Sequence, residues 1–165
     1  MRTAERKESM NIAFLLQPKS DTAFLYDDFT LRQGLEKMRH HGYTAIPVID
    51  REGKYITTIS EGDFLWFILR DSEEGDLQEV PLQNLEKTQI KDIIHPDKNP
   101  PVPITATTDE LVERGMEQNF IPVVDDWGSF IGIITRRNLL ERFAKYKDWV
   151  YTFEVNYISG TVRKH

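Results

Sequence analysis

The chain has 165 residues, 39% of them hydrophobic and 29% charged, which is the balance of a folded globular chain. Its 21 lysines and arginines face 27 aspartates and glutamates, a net charge of −6, and that excess of acid argues against a dedicated nucleic-acid binder with a basic face. The absence of cysteine excludes disulfides, thiolate catalysis and zinc–thiolate sites. The longest apolar runs, residues 12–16 and 64–69, are too short to cross a bilayer, so a cytoplasmic protein is expected.

Residues 1–10 carry acids and no long apolar core behind them, so they read as a disordered lead rather than a secretory signal. A first unit is expected over 11–70. Thr30 is placed to cap a helix that carries Leu31, Leu35 and Met38 on one stripe, with Gly42 as its stop. Two strands follow, joined by the turn Asp50-Arg51-Glu52-Gly53, and then a helix bearing Phe64, Leu65, Phe67 and Ile68. Residues 71–90 read as an acidic linker, because the run 71–79 has five acids and no base. A proline-rich approach opens a second unit over 91–147. There Thr108 is the expected cap of a shorter helix bearing Leu111, Val112 and Met116, with Asn119 as its stop. Strands flank the turn Asp125-Asp126-Trp127-Gly128, and a last helix carries Leu139, Leu140, Phe143 and Ala144. These two apolar stripes suit core or a dimer surface better than a cofactor box. In the tail, 148–165, Tyr151, Phe153, Val155 and Tyr157 alternate with polar residues. That pattern fits an added edge strand or a partner-binding tail, and equally a loosely ordered terminus.

The two units are copies of one pattern. AIPVIDREGKYITTISEGDFLWFI (45–68) aligns without gaps on FIPVVDDWGSFIGIITRRNLLERF (120–143). Ile46, Pro47, Val48, Asp50, Gly53, Ile56 and Ile59 recur as Ile121, Pro122, Val123, Asp125, Gly128, Ile131 and Ile134. Each copy is a strand–helix–strand–strand–helix unit, too short to bury a good core alone, so the two are expected to pack face to face.

The copies differ where each hairpin meets its last helix. Ser60-Glu61-Gly62-Asp63 resembles a capping box with extra negative charge at the helix start, and so is electrostatically complete. Thr135-Arg136-Arg137-Asn138 puts two cations where the helix dipole disfavours them. Free amides, a threonine hydroxyl and two guanidinium groups make an anion site. The alternative is that both arginines face water or pair with acids. A second cluster, GYTAIPV (42–48), enters its strand with Tyr43, Thr44 and Ala45. The backbone there can read a base edge and Tyr43 can stack on one; a tightly packed strand start is the other possibility. His40 and His41 diverge by ~100° on a helix and cannot easily share a metal. No P-loop, GxGxxG or serine–histidine spacing is present, so no enzyme activity and no metal or cofactor are expected.

TLRQGLEKMRHHGYTAIPVIDREG and FIPVVDDWGSFIGIITRRNLL resemble a tandem pair of cystathionine-beta-synthase (CBS) domains, a Bateman module, over about residues 11–147. The resemblance implies an α/β (α+β) fold in which two β-α-β-β-α CBS repeats pack as a pseudo-two-fold sandwich. It also implies a homodimer formed through the helices, and binding of adenosine compounds to regulate another protein. Carried over by motif, one nucleotide cleft combines Thr22, Ala23, Tyr43, Thr44, Ala45 and Ile46 with Ile133, Thr135, Arg136, Arg137 and Asn138. A mirror cleft combines Asn119, Phe120 and Ile121 with Thr58, Ser60 and Asp63. Asp63 there matches the family's ribose-binding aspartate, but Glu61 would repel phosphates, so this cleft is expected to be weak or empty. The chain departs from the family in carrying Asn138 instead of Asp. GYTAIPV with TRR is further similar to small stand-alone CBS-pair proteins of Gram-positive bacteria that bind cyclic di-AMP. Those often carry a lysine where this chain has Asp21. The expected function is a non-catalytic module that binds cyclic di-AMP and controls a partner protein. A sensor of AMP, ADP or ATP, or a scaffold with vestigial clefts, is the alternative.

Overall fold

The computed structural model describes residues 11–71, 82–96 and 98–145. The expected lead, the acidic run and the tail lie outside the described residues. The first repeat runs β2 (Leu25–Tyr26), α1 (Leu31–His41), β3 (Ala45–Ile49), β4 (Tyr55–Ser60) and α2 (Glu61–Asp71). The second runs β5 (Val102–Pro103), α4 (Thr108–Glu117), β6 (Phe120–Val124), β7 (Phe130–Thr135) and a helix, α5, over 136–145. A short strand β1 (Gln17–Pro18) precedes them, and a helix α3 (Leu82–Lys87) lies between.

Both repeats are built the same way because the same local chemistry recurs. β2 pairs parallel with β3, and β3 antiparallel with β4; β5, β6 and β7 repeat that arrangement. In each hairpin turn one aspartate oxygen accepts two backbone amides. Asp50 takes those of Glu52 and Lys54 at 2.9 and 2.8 Å, and Asp125 takes those of Trp127 and Ser129 at the same distances. Gly53 and Gly128 then turn the chain at φ of 86° and 79°, where a side chain would be strained. The two turns meet. The Tyr55 amide donates to the Gly128 carbonyl and the Phe130 amide to the Gly53 carbonyl, so the repeats are joined about a pseudo-two-fold.

Each repeat has its own core. One gathers Leu25, Leu31, Met38, Ile46, Ile59 and Phe64; the other gathers Leu111, Ile121, Val123, Ile134 and Leu139. The shared interface is a smaller cluster of Ile49, Phe130 and Ile133, edged by Phe24, Tyr26, Tyr55 and Phe120. α1 begins and ends as its sequence predicts. Thr30 and Gln33 form a reciprocal capping box, and Gly42 closes the helix at φ 67°.

Three expectations are corrected. α4 is capped by Thr107, not Thr108, and its C-cap is Gln118 rather than Asn119. Met116 is 75% exposed instead of sharing a stripe with Leu111. Gly115 is the residue that turns inward, and a Cβ there would sit 3.0 Å from Leu139 Cδ1. The last part of the expected linker is structured: Leu85 and Ile90 are buried in the first repeat's core, and Ile90 and Lys91 donate to the carbonyls of Phe29 and Asp27. Burial of these two apolar side chains, together with the backbone hydrogen bonds, holds this stretch on the first repeat.

Candidate functional site

The elements expected to form the first cleft meet at β1. This strand leaves the first repeat's lead and pairs antiparallel with β7 of the second, placing Gln17 opposite Ile133 and Pro18 opposite Gly132. The hydroxyl of Thr22 is buried and shares its proton between the carbonyls of Pro18 at 2.9 Å and Gln17 at 3.3 Å. Asn138 reaches back from α5 to the Leu15 carbonyl at 3.4 Å. The lead of one repeat and the helix start of the other are therefore neighbours. Ala23 packs partly buried on the first core. Lys19, next to Asp21, holds its ammonium 5.2 Å from the Phe24 ring centre.

Residues 43–45 are fixed from within their own repeat. Ala45 lies opposite Ser60, and Glu61 donates its amide to the Thr44 carbonyl. Tyr43 is half-buried beside the first core, and Thr44 is exposed. Ile46 is fully buried, as Ile133 nearly is, so both present backbone rather than side chain. Among the described residues no hydrogen bond joins residues 43–46 to residues 133–138.

The two arginines behave differently from one another. Thr135 accepts the Asn138 amide at 3.1 Å, as an N-cap should. Arg136, expected to point at an anion, instead turns onto the end of α4. Its Nε donates to the carbonyls of Gly115 at 2.7 Å and Gln118 at 3.2 Å. The physical reason is that the last carbonyls of a helix have no partner within it, and a guanidinium at that end satisfies both hydrogen bonding and dipole. Arg137 remains 85% exposed and pairs with Glu141 one turn on, at 2.8 Å. That exposed pair is weak and leaves the guanidinium available.

The mirror cleft is differently furnished. Asp63 accepts the Ser60 amide and hydroxyl, both at 2.7 Å. Lys98, which sequence reasoning did not single out, donates to both carboxylate oxygens at 2.8 and 2.6 Å and to the Ser60 hydroxyl at 3.2 Å. Burial alone would raise the Asp63 carboxyl; the Lys98 ammonium and the Ser60 donors outweigh it and hold it below its ordinary value. Thr58 is buried and bonds the Tyr55 phenol, whose own proton goes to the Asn99 carbonyl at 2.7 Å. Burial pushes that phenol far above the usual range. Asn119 is exposed and its carbonyl accepts the Arg136 amide; Phe120 edges the shared cluster; Ile121 is sealed in the second core. Position offered one signal for Lys98: it stands just ahead of β5 as Asp21 stands ahead of β2.

An apolar groove of about 350 Å³ lies between α4 and α5, lined by Val112, Met116, Leu139, Leu140 and Phe143 and bordered by Arg136. Leu140, with Leu65 and Trp66 of α2, is exposed. No helix among the described residues is long and apolar enough to cross a membrane.

Two βαββα units related by a pseudo-two-fold, each with a hairpin that runs into a helix start, define a paired-repeat module. The CBS domain model matches residues 16–70 and 90–145, more than half of the chain, and the protein belongs to that family. It is 27% identical over 167 residues to the uncharacterised protein MJ1426 of Methanocaldococcus jannaschii, covering 86% of this chain and 98% of that one. Its fold is similar to a crystal structure of CbpB in complex with c-di-AMP, with a TM-score of 0.74 and 23% identity over 86% of this chain and 90% of that one. It is also similar to CBSX2 in complex with AMP, with a TM-score of 0.65 and 21% identity over 83% and 98%.

Proposed function

We propose that this CBS pair is a non-catalytic sensor that binds cyclic di-AMP in the first cleft and thereby controls a partner protein. The observation that carries the reading is the asymmetry of the two helix starts. α5 opens with a capped N-terminus and an arginine, Arg137, held only by an exposed glutamate, whereas the carboxylate at the start of α2 already has its cation. Anionic ligands favour a helix N-terminus with a spare guanidinium. The adenine would lie against the backbone of Tyr43, Thr44, Ala45 and Ile46 and beside Thr22 and Ala23. The phosphates would face Thr135 and Arg137, with Asn138 as a hydroxyl partner and Arg136 holding α4 in place. Such a ligand bridges two repeats that share no direct hydrogen bond at these residues. It therefore favours one arrangement of the pair and alters a surface offered to a partner. The exposed side chains of α2 and α5 suit a homodimer formed through the helices. The fold likeness to a CbpB crystallised with c-di-AMP supports the choice of ligand.

One observation favours AMP, ADP or ATP as a second reading. With Arg136 engaged on α4, a single spare arginine matches one phosphate group better than two. Calorimetric titration of nucleotide-free protein with cyclic di-AMP, AMP and ATP separates these. Saturable binding of cyclic di-AMP alone supports the proposal. Preference for AMP or ATP supports the second reading, and no binding refutes both in favour of a scaffold.

A further inference from the structure

We propose that Lys98 is a built-in occupant of the second cleft, so that the chain takes one adenine ligand where its internal symmetry offers two. The proposal rests on the clefts being nucleotide sites. At the start of α2, the Asp63 side chain is only 16% exposed, and its Oδ2 already accepts the Ser60 amide and hydroxyl. In the mirror position a ribose would need it as hydroxyl acceptor. Lys98 stands in place of the ribose hydroxyls as donor, to Asp63 Oδ1 and Oδ2 and to the Ser60 hydroxyl.

The lysine does not reach there by chance of a loose side chain. Its backbone is fastened to β4 on both sides. The buried Thr57 hydroxyl lies 2.8 Å from the His95 carbonyl and 2.9 Å from that of Lys98 itself. The Tyr55 phenol donates to the Asn99 carbonyl, and Asn99 adopts a left-handed φ of 56° to present it. Holding the backbone in advance removes the backbone share of the ordering cost and leaves only the rotamer entropy of the lysine arm to be met by its three contacts. A ligand must therefore displace a charge-assisted contact that is already preorganised. Glu61, exposed in the same helix turn, adds a negative charge that discourages a phosphate from drawing Lys98 away. The first cleft has no counterpart of this contact: Asn138 replaces the carboxylate, and Asp21 stands where Lys98 would be.

The test uses the full chain and Lys98→Met, which keeps the length and removes the charge. Adenosine is the probe, since it offers the ribose without a phosphate for Glu61 to repel. Amide NMR shifts of Thr57, Thr58, Ser60 and Asp63 report the second cleft, and those of Thr44, Ala45 and Thr135 report the first. In the wild type, adenosine is expected to leave the second set unmoved. In Lys98→Met it should move them saturably, with affinity at least tenfold higher, and stoichiometry should rise from one to two. Thr57→Val, which loosens the segment but keeps both charges, should give a smaller gain and remains informative if Lys98→Met does not fold. Second-cleft shifts in the wild type, or none in either variant, overturn the proposal. If cyclic di-AMP still binds the first cleft in that case, this inference alone falls. If the wild type binds no adenine compound at its first cleft, the functional reading falls, whatever the second cleft does.

Discussion

Gly132 is the point at which the first cleft is most easily dismantled from a distance. It sits in β7 opposite Pro18, with φ of 157°. An added Cβ would overlap the Gln17 carbonyl oxygen and lie 3.0 Å from Leu16 Cδ1. Neither the backbone carbonyl nor the strand that carries it can give way cheaply, so Gly132→Ala should push β1 off β7. The strain of a side chain in that conformation costs about 1–3 kcal/mol. Loss of the short β1 ladder adds about 1 kcal/mol for each hydrogen bond forfeited. The expected total is about 2–4 kcal/mol. Gly128→Ala is the internal control. It also has positive φ, but a Cβ there meets nothing within 4 Å, so it carries only the backbone cost of about 1–2 kcal/mol. Urea unfolding followed by circular dichroism reads both, as a lowered midpoint at unchanged slope. Gly132→Ala should be the worse of the two and should also weaken nucleotide binding, because Thr22 loses its anchors in Gln17 and Pro18. Equal destabilisation by the two variants would refute the argument that β1 is held by this close approach.

Arg137→Ala should weaken cyclic di-AMP binding at least tenfold in calorimetry and leave the melting temperature within a degree or two, since its pair with Glu141 is exposed. Arg136→Ala should do the reverse first, lowering stability by about 1–2 kcal/mol in urea by stripping donors from the Gly115 and Gln118 carbonyls. Thr30→Ala should cost about 1 kcal/mol, read by the same assay, because the capping box loses its side-chain acceptor. The Asp63 carboxyl is held below its ordinary value in the folded chain, so its contribution is present above the ordinary carboxyl range and is lost as pH falls through the depressed value. Asp63→Asn should therefore flatten the acid limb of a stability–pH profile, and an unchanged limb would contradict the Lys98 contact.

Much of the fold is legible in the sequence because it rests on bonds that span four residues or fewer. Thr30, Gln33 and Gly42 mark α1; Asp50 with Gly53 and Asp125 with Gly128 mark the two hairpins; each acts through backbone groups beside it. The repeat itself is legible because both copies solve one packing problem with one pattern. The choice between Thr107 and Thr108 is not local. Either can cap, and a one-residue shift turns the helix by about 100°. What decides it is which phase lets Gly115 meet Leu139, and that same phase carries Met116 outward.

The candidate site divides in the same way. Sequence alone identified the contrast between Ser60–Asp63 and Thr135–Asn138, since charge at a helix start is a property of adjacent residues. It could not say where the side chains go. Arg136 has a choice between a ligand and the orphan carbonyls of α4, and only the packed position of α4 puts those carbonyls at 2.7 and 3.2 Å. Lys98 lies in a proline-rich approach beside Asp97, and nothing in the sequence marks Asp63 as its partner. It finds Asp63, 35 positions earlier, because Thr57 and Tyr55 pin the segment across β4. Local hydrogen bonding and periodicity determined the elements and their duplication. Long-range packing decided which charges are spent inside the protein and which are left exposed at its surface.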